Sequence, residues 1–418
     1  MSVLSAERGA PVASVSHDER APLGGFLGGV LISQVVNNAL HLAQPLLIAQ
    51  LSGSLGHAAF FSAFDTAVHM AGTAAGGWPA DRLGSRRLLI LSTFLRGASL
   101  ALIPALWAAG RLTLGLAMAA YTMDAFARGF TDTAVHALPL ELASHDRAEL
   151  DRLNARYELV FDLGAVAGPL LLGVLLIAKS SFAAHAAIPA GFVLAALVFA
   201  RIPRRRGIAA ARAPSAPRGG TREGLRLVLM DRGLAFAAFG LALLNIYPLR
   251  KLLSSFFAKS ILSSPAAAGW VGAAFGAGGI AGALLYAWSR RRGASAAVWV
   301  AAGGLGVLAL AVAWVPGALA PMLAAAFAFA LANVGARLAL TTRLQERTPL
   351  GTAGGVTAVS RFASNAVSVL LKAAVGAAFA LGGGPRAAFA AVGAGLALVA
   401  LAQFWLAARL ARAPGGAA

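Results

Sequence analysis

Cysteine is absent from this sequence, acidic residues number 16 against 35 lysines and arginines, and charged side chains fill only 12% of 418 positions. Without cysteine there is no disulfide framework, no thiolate zinc or iron–sulfur site and no cysteine nucleophile. Soluble domains carry roughly a quarter charged side chains. With 59% hydrophobic residues and a mean hydropathy of +0.75, the chain has more apolar surface than a soluble core of this length buries. Also missing are a glycine-rich phosphate loop ending in Lys-Ser or Lys-Thr, and any Ser/His/Asp set or carboxylate pair in a recognisable catalytic context. ATP-driven work, enzymatic chemistry, a cofactor and a bound metal are therefore not expected.

What the sequence does contain is a series of apolar runs, each near the ~20 residues a helix needs to cross a bilayer. Breakers and charge clusters divide them into twelve candidate helices, near 24–50, 57–78, 88–109, 112–138, 155–178, 182–201, 231–257, 265–288, 296–316, 319–342, 352–380 and 386–409. The expected organisation is a tail over 1–22, a six-helix bundle over 23–201, a linker over 202–230, a second six-helix bundle over 231–410 and a tail over 411–418. The linker is rich in Arg, Pro and Gly, with a short amphipathic helix expected near Thr221 to Met230. The N-terminus MSVLSAERGAPVASVSHDERAP lacks the pattern of a cleaved signal peptide, so the first apolar run is expected to remain as a membrane helix.

A net charge of +19 would suggest nucleic acid if the cations formed a soluble basic face. They lie instead between the apolar runs, in alternate loops: Arg82, Arg86 and Arg87; Arg147, Arg152 and Arg156; the linker; Arg290 to Arg292; Arg343 and Arg347. By the positive-inside rule these loops, the linker and both termini are cytoplasmic. The expected partner is thus a lipid bilayer rather than nucleic acid, and the expected location a bacterial inner membrane.

The two halves echo each other. GGWPADRLGSRR after the second run and LLYAWSRRRG after the eighth superpose with Gly84 on Gly293, the trace of an internal duplication. The string Gly77-Trp78-Pro79-Ala80-Asp81-Arg82-Leu83-Gly84-Ser85-Arg86-Arg87 resembles the signature of the major facilitator superfamily, and Gly164-Ala165-Val166-Ala167-Gly168-Pro169 resembles that of its antiporter branch. The strings LDRLNARYELVFDLGAVAGPLLLG and LTTRLQERTPLGTAGGVTAV are similar to the branch containing enterobactin and macrolide exporters. The resemblance implies an all-α membrane protein of twelve transmembrane helices in two pseudo-symmetric six-helix bundles that rock about a central cavity. It implies gating by Gly77, Asp81, Arg82, Gly84 and Arg86, and by Gly164, Gly168 and Pro169 in the fifth helix.

A charged side chain at mid-membrane costs about 2.5–3.5 kcal/mol on insertion scales, so each needs a partner or a watery cavity. Asp124, Arg128, Asp132 and His136 recur every four residues along one stripe of the fourth helix, and Asp65 lies in the second. Arg128 can neutralise one neighbouring aspartate. The other is a candidate proton carrier, unless Arg96 pairs with it and makes the set a static network. Asp65, Asp124, Arg128 and Asp132 are the proton-coupling candidates. Polar stripes also mark the first helix, with Asn37, Asn38 and His41, the seventh, with Tyr247, Arg250 and Lys251, and the tenth, with Asn333 and Arg337. In the resembled fold these helices line the cavity, so the eight residues are the solute-binding candidates, set against plain interhelical hydrogen bonding. A metal reading from Asn37, His41, Asp65 and His69, loosely similar to ferroportin, is weakened by Asn in place of an aspartate ligand. The expectation is a monomeric secondary transporter that exports a small amphipathic, anionic organic solute in exchange for protons. Uptake of an organic anion, divalent metal efflux of the ferroportin type, and a non-transporting receptor or scaffold are the alternatives.

Overall fold

The computed structural model describes residues 17–142, 147–177, 181–202, 220–246, 249–348, 353–381 and 384–412. These form fifteen helices: α1 (His17–Ser52), α2 (Leu55–Ala75), α3 (Gly77–Leu83), α4 (Ser85–Ala108), α5 (Leu114–Leu142), α6 (Arg147–Ile177), α7 (Ser181–Ala200), α8 (Gly220–Met230), α9 (Arg232–Leu244), α10 (Leu249–Ser260), α11 (Ala267–Arg291), α12 (Ala296–Val312), α13 (Leu319–Arg347), α14 (Ala353–Ala380) and α15 (Gly384–Arg412). Nine spans among the described residues are long and apolar enough to cross a membrane, with α9 and α10 counted together as one of them. The other three crossings are α2, α5, which carries Asp124, Arg128 and Asp132, and α12, which is apolar but only 17 residues long. The fold is therefore twelve transmembrane helices in two bundles, plus α3 and the amphipathic α8. The first helix starts at His17, earlier than the expected tail boundary, and runs on through Pro22, Gly24 and Gly25 into the apolar run.

The seventh span was expected to be continuous, and it is broken after Leu244. Its cause is chemical. In an uninterrupted helix the Leu244 carbonyl would accept from the N–H of residue 248, which is proline and has none. Asn333 Nδ2 of α13 donates to that carbonyl at 3.0 Å, and Gln403 Nε2 of α15 donates to the Leu243 carbonyl at 3.4 Å. Asn245 Nδ2 donates to the Ser364 carbonyl of α14 at 2.7 Å. Freed backbone groups inside a bilayer need such partners, because no water supplies them.

In the first half α1 packs on α6 and α7, α2 on α5, and α4 on α5 and α7; in the second α11 and α12 pack on α13, and α12 on α15. At the α1–α6 crossing a Cβ on Gly168 would strike the Val35 carbonyl and one on Gly164 the Gln34 Cβ, so glycine is what allows this approach. The halves meet through α6 with α11, α2 with α14, and α1 with α10. We call the side where α7 ends and α8 lies the linker side. Toward the opposite, far side, Gly173 of α6 abuts Gly269 of α11, Gly56 of α2 faces Gly376 and Ala380 of α14, and Ser255 of α10 donates to the Leu42 carbonyl at 3.1 Å. On the linker side, by contrast, the Asp132 side chain is 41% exposed, and His136 and Arg337 are also exposed.

Candidate functional site

The polar stripes of α1 and α5 converge with α2 and α4 into two buried ion-pair clusters. In one, Arg96 of α4, 2% exposed, donates through Nε to Asp124 Oδ1 at 2.7 Å and through Nη2 to Asn37 Oδ1 at 2.8 Å, and its guanidinium lies 4.1 Å from the centre of the Phe192 ring. Cation and anion are sealed together, with a face of the cation covered by an aromatic ring.

In the other, Arg128 of α5 donates through Nη2 to Asp65 Oδ2 of α2 at 2.6 Å, and its Nη1 lies 3.1 Å from His41 Nε2 of α1. Gln44 Nε2 donates to the second oxygen of Asp65 at 3.1 Å. Arg128 thus pairs with an aspartate on a neighbouring helix, not with Asp124 or Asp132 one turn away on its own. Asp132 meets His69 of α2, whose Nε2 lies 2.8 Å from Oδ2, and His136 Nδ1 lies 2.7 Å from the Asp132 carbonyl. His69 is 22% and Asp132 41% exposed, so this pair is more accessible than the two arginine pairs.

The second half contributes cations. Arg250, 4% exposed, and Lys251 sit directly after the break in the seventh span, where the start of α10 turns them inward. Together with Asn38, Leu42, Pro169, Ser254, Gly272 and Phe275 they line a pocket between the halves, with Arg250 5.7 Å from the Phe275 ring centre. Lys251 forms no ion pair among the described residues, and it acts electrostatically on His41 and feels Arg250, Arg128 and Lys372. Lys372 of α14 crosses the interface and donates to Thr66 Oγ1 of α2 at 2.7 Å and to the Ser62 carbonyl at 3.4 Å.

Of the solute-binding candidates, Asn38, Arg250 and Lys251 therefore share one pocket, and Asn37 and His41 stand beside it as partners of Arg96 and Arg128. Asn333 is fully buried, with Nδ2 donating to the Leu244 carbonyl and Oδ1 without a hydrogen-bond partner among the described residues, Arg337 is exposed, and Tyr247 lies outside the described residues. Of the gating candidates, Gly77 opens α3 and Gly84, at φ +79°, makes the turn from α3 into α4. Arg86 closes the end of α7, with Nη2 donating to the Ala200 carbonyl at 2.6 Å and Nε to the Ile202 carbonyl at 2.7 Å, a cation on the negative end of a helix. Arg82 is exposed, and the side chain of Asp81 lies outside the described residues. Pro169 packs against Gly272 and Gly269 at the α6–α11 contact. The donors of the metal reading are taken: Asn37 by Arg96, His41 and Asp65 by Arg128, and His69 by Asp132. Lys372 is absent from the solute-binding and proton-coupling candidates, and His69 is among the sequence candidates only as a metal donor, because which helix each side chain faces is not set by its spacing along the chain.

Membrane-spanning helices in two packed bundles, with buried ion pairs and a pocket lined from both halves, are the architecture of a membrane transporter. A model described as Major Facilitator Superfamily matches residues 26–371, and the chain belongs to that family of secondary transporters. Among curated relatives, the multidrug efflux pump Tap of Mycobacterium tuberculosis (strain ATCC 25618 / H37Rv) is 27% identical over 282 residues. That match covers 65% of this chain and 66% of the relative, so the chain spans just under two thirds of that relative's length. The multidrug efflux pump Tap of Mycolicibacterium fortuitum is 28% identical over 312 residues, covering 72% of this chain and 76% of the relative. Among solved structures, a mutant of the peptide transporter POT superposes with a TM-score of 0.70 at 15% identity, over 94% of this chain and 99% of that one. A bacterial homolog of the human lysosomal transporter Spinster, in an inward-facing and unoccupied conformation, superposes with a TM-score of 0.70 at 15% identity, over 95% of this chain and 98% of that one. At such identities the likeness concerns the fold alone.

Proposed function

We propose that this transporter exports a small amphipathic organic solute bearing a negative group, in exchange for protons, across a bacterial inner membrane with both termini cytoplasmic. The observation that carries the solute class is the charge left over at mid-depth. Asp65 and Asp124 are each engaged by a guanidinium of their own half, while Lys251 stands beside Arg250 in the pocket wall with no ion pair among the described residues. An anionic group seated between Lys251, Arg250 and Asn38 supplies a counter-charge for Lys251, and Phe275, Leu42 and Pro169 offer an apolar wall to the rest of the solute once the halves part, since the pocket as it stands holds about one water. Efflux is supported by the relatives named as multidrug efflux pumps. The linker side, richest in arginine, is taken as cytoplasmic.

For the protons we favour Asp132 with His69. Asp65 and Asp124 face guanidinium groups, which hold their charge at any physiological pH. The partner of Asp132 is an imidazole, a group that both takes up and gives up a proton, and the pair is partly exposed. Asp81 and its arginine neighbours are proposed to govern the rocking of the halves.

The test is transport in proteoliposomes of known orientation, with fluorescein as the anionic probe and ethidium as the cationic one. A pH gradient is expected to drive fluorescein out through the wild type, and Asp132→Asn is expected to abolish that drive while leaving downhill counterflow. Export of ethidium but not fluorescein would overturn the solute class, accumulation in the opposite direction would overturn export, and an Asp132→Asn variant that still follows the pH gradient would overturn the coupling site.

A further inference from the structure

Three contacts close the far side, and only the one between α2 and α14 carries a described side-chain bond from a cation. Lys372 is 8% exposed and reaches across from the second half to the first, with Nζ on Thr66 Oγ1 at 2.7 Å and on the Ser62 carbonyl at 3.4 Å. Both acceptors are neutral. An ammonium in a bilayer interior needs a negative charge near it, and the acid between these two positions in the chain is Asp65, which acts on Lys372 electrostatically. Asp65 itself is fixed in place by Arg128 and Gln44.

We propose that Lys372 is the latch of the far side: it ties α14 to α2 through Thr66 and Ser62, the fixed charge of Asp65 keeps it seated, and an anionic solute in the neighbouring pocket draws it off. The groups facing Asp65 are Gln44 from α1, Arg128 from α5 and Lys372 from α14, with His41, Tyr121, Asp124 and Lys251 beyond them. Opening the far side separates α2 from α14, so Lys372 must leave Thr66. In the empty pocket nothing else of negative sign is offered to it among the described residues, and the latch stays shut. A solute anion beside Lys251 competes with Asp65 for the ammonium, and the arrival of cargo thereby becomes the signal to open. The release step rests on the anionic-solute reading above; the latch itself does not.

The absence of cysteine makes the experiment direct. His57→Cys and Leu381→Cys, exposed at the far ends of α2 and α14, are spin-labelled in otherwise wild-type protein and the distance distribution is measured without solute. The wild type is expected to be mainly short-distance. Lys372→Met is expected to shift the open-to-closed ratio by at least about fivefold, the low end for coupled sites. Thr66→Val, which removes one acceptor and no charge, should move it part of the way, and Lys372→Arg should restore the short distance, which a merely packing role for the side chain would not do. Asp65→Asn should open the far side too, and combined with Lys372→Met should add nothing further. If Lys372→Met and Thr66→Val both keep the wild-type distribution, or if the effects of Asp65→Asn and Lys372→Met simply add, the latch is overturned. Adding fluorescein should open the wild type and leave Lys372→Met unchanged. If the variants open without solute but fluorescein neither binds nor shifts the wild type, the latch stands and the anionic-solute reading fails.

Discussion

Arg96 and Asp124 illustrate how a buried charge is tolerated only as long as its partner stays. Neither is more than 2% exposed, and removing one strands the other in a medium that cannot solvate it. Arg96→Met is expected to lower stability by about 3–5 kcal/mol, and the double variant Arg96→Met with Asp124→Leu to recover most of that loss. Thermal unfolding in detergent checks both, and a double variant as unstable as the single one would show that the pair does more than neutralise itself. Lys251 is the opposite case, a cation placed where a counter-charge can come and go. Lys251→Gln should weaken fluorescein binding about tenfold or more, the scale of one charge-assisted hydrogen bond, while Lys251→Arg keeps most of it; fluorescence anisotropy is the measurement. Ethidium binding should be unchanged or stronger in Lys251→Gln, since the substitution removes a like charge.

At the scale of the element, the broken seventh span shows what a sequence does and does not disclose. The run from 231 to 257 is apolar enough to read as a single helix, and hydropathy does not register that Pro248 leaves the Leu244 carbonyl without a donor. Asn333 lies on the same stripe as Arg337, and in the structure its Nδ2 repairs the seventh span while its Oδ1 has no hydrogen-bond partner among the described residues. Asn333→Ala is expected to cost about 1–3 kcal/mol, the penalty for an unsatisfied buried polar group. It should leave fluorescein affinity nearly intact in the protein that remains folded. A tenfold loss of affinity with unchanged thermal stability would return Asn333 to the pocket wall. Spans, their number and the short helix over Gly220–Met230 were readable because apolar runs and their breakers are local properties of the chain. The pairing of Arg128 with Asp65 was not, since it depends on how α2 and α5 are rotated about their axes and on the depth at which they cross. Spacing along α5 offered Asp124 and Asp132 as equally near partners, and the bond goes to neither.

On the scale of the whole molecule, closure of the far side depends on backbones that touch. A Cβ at Gly269 would lie 2.6 Å from the Gly173 Cα and closer still to the Pro169 carbonyl, and backbone cannot yield as a flexible side chain does. Gly269→Leu is therefore expected to hold α6 and α11 apart and to trap the transporter open on the far side. In that background Ser255→Cys, buried at the closed α1–α10 contact, would then react with an impermeant maleimide at a rate that no longer depends on solute. Unaltered labelling in Gly269→Leu would show that the α6–α11 contact follows the motion instead of limiting it.

The surplus of positive charge at mid-depth has a last consequence for the protein between turnovers. Lys251, Arg250, Arg128 and Lys372 repel one another across the seam when no cargo is present. Small inorganic ions then become stand-ins: chloride should steady the resting carrier and raise its melting temperature relative to gluconate at equal ionic strength. The same chloride should compete weakly with transported compounds, so that activity falls as halide rises even though general screening is held constant.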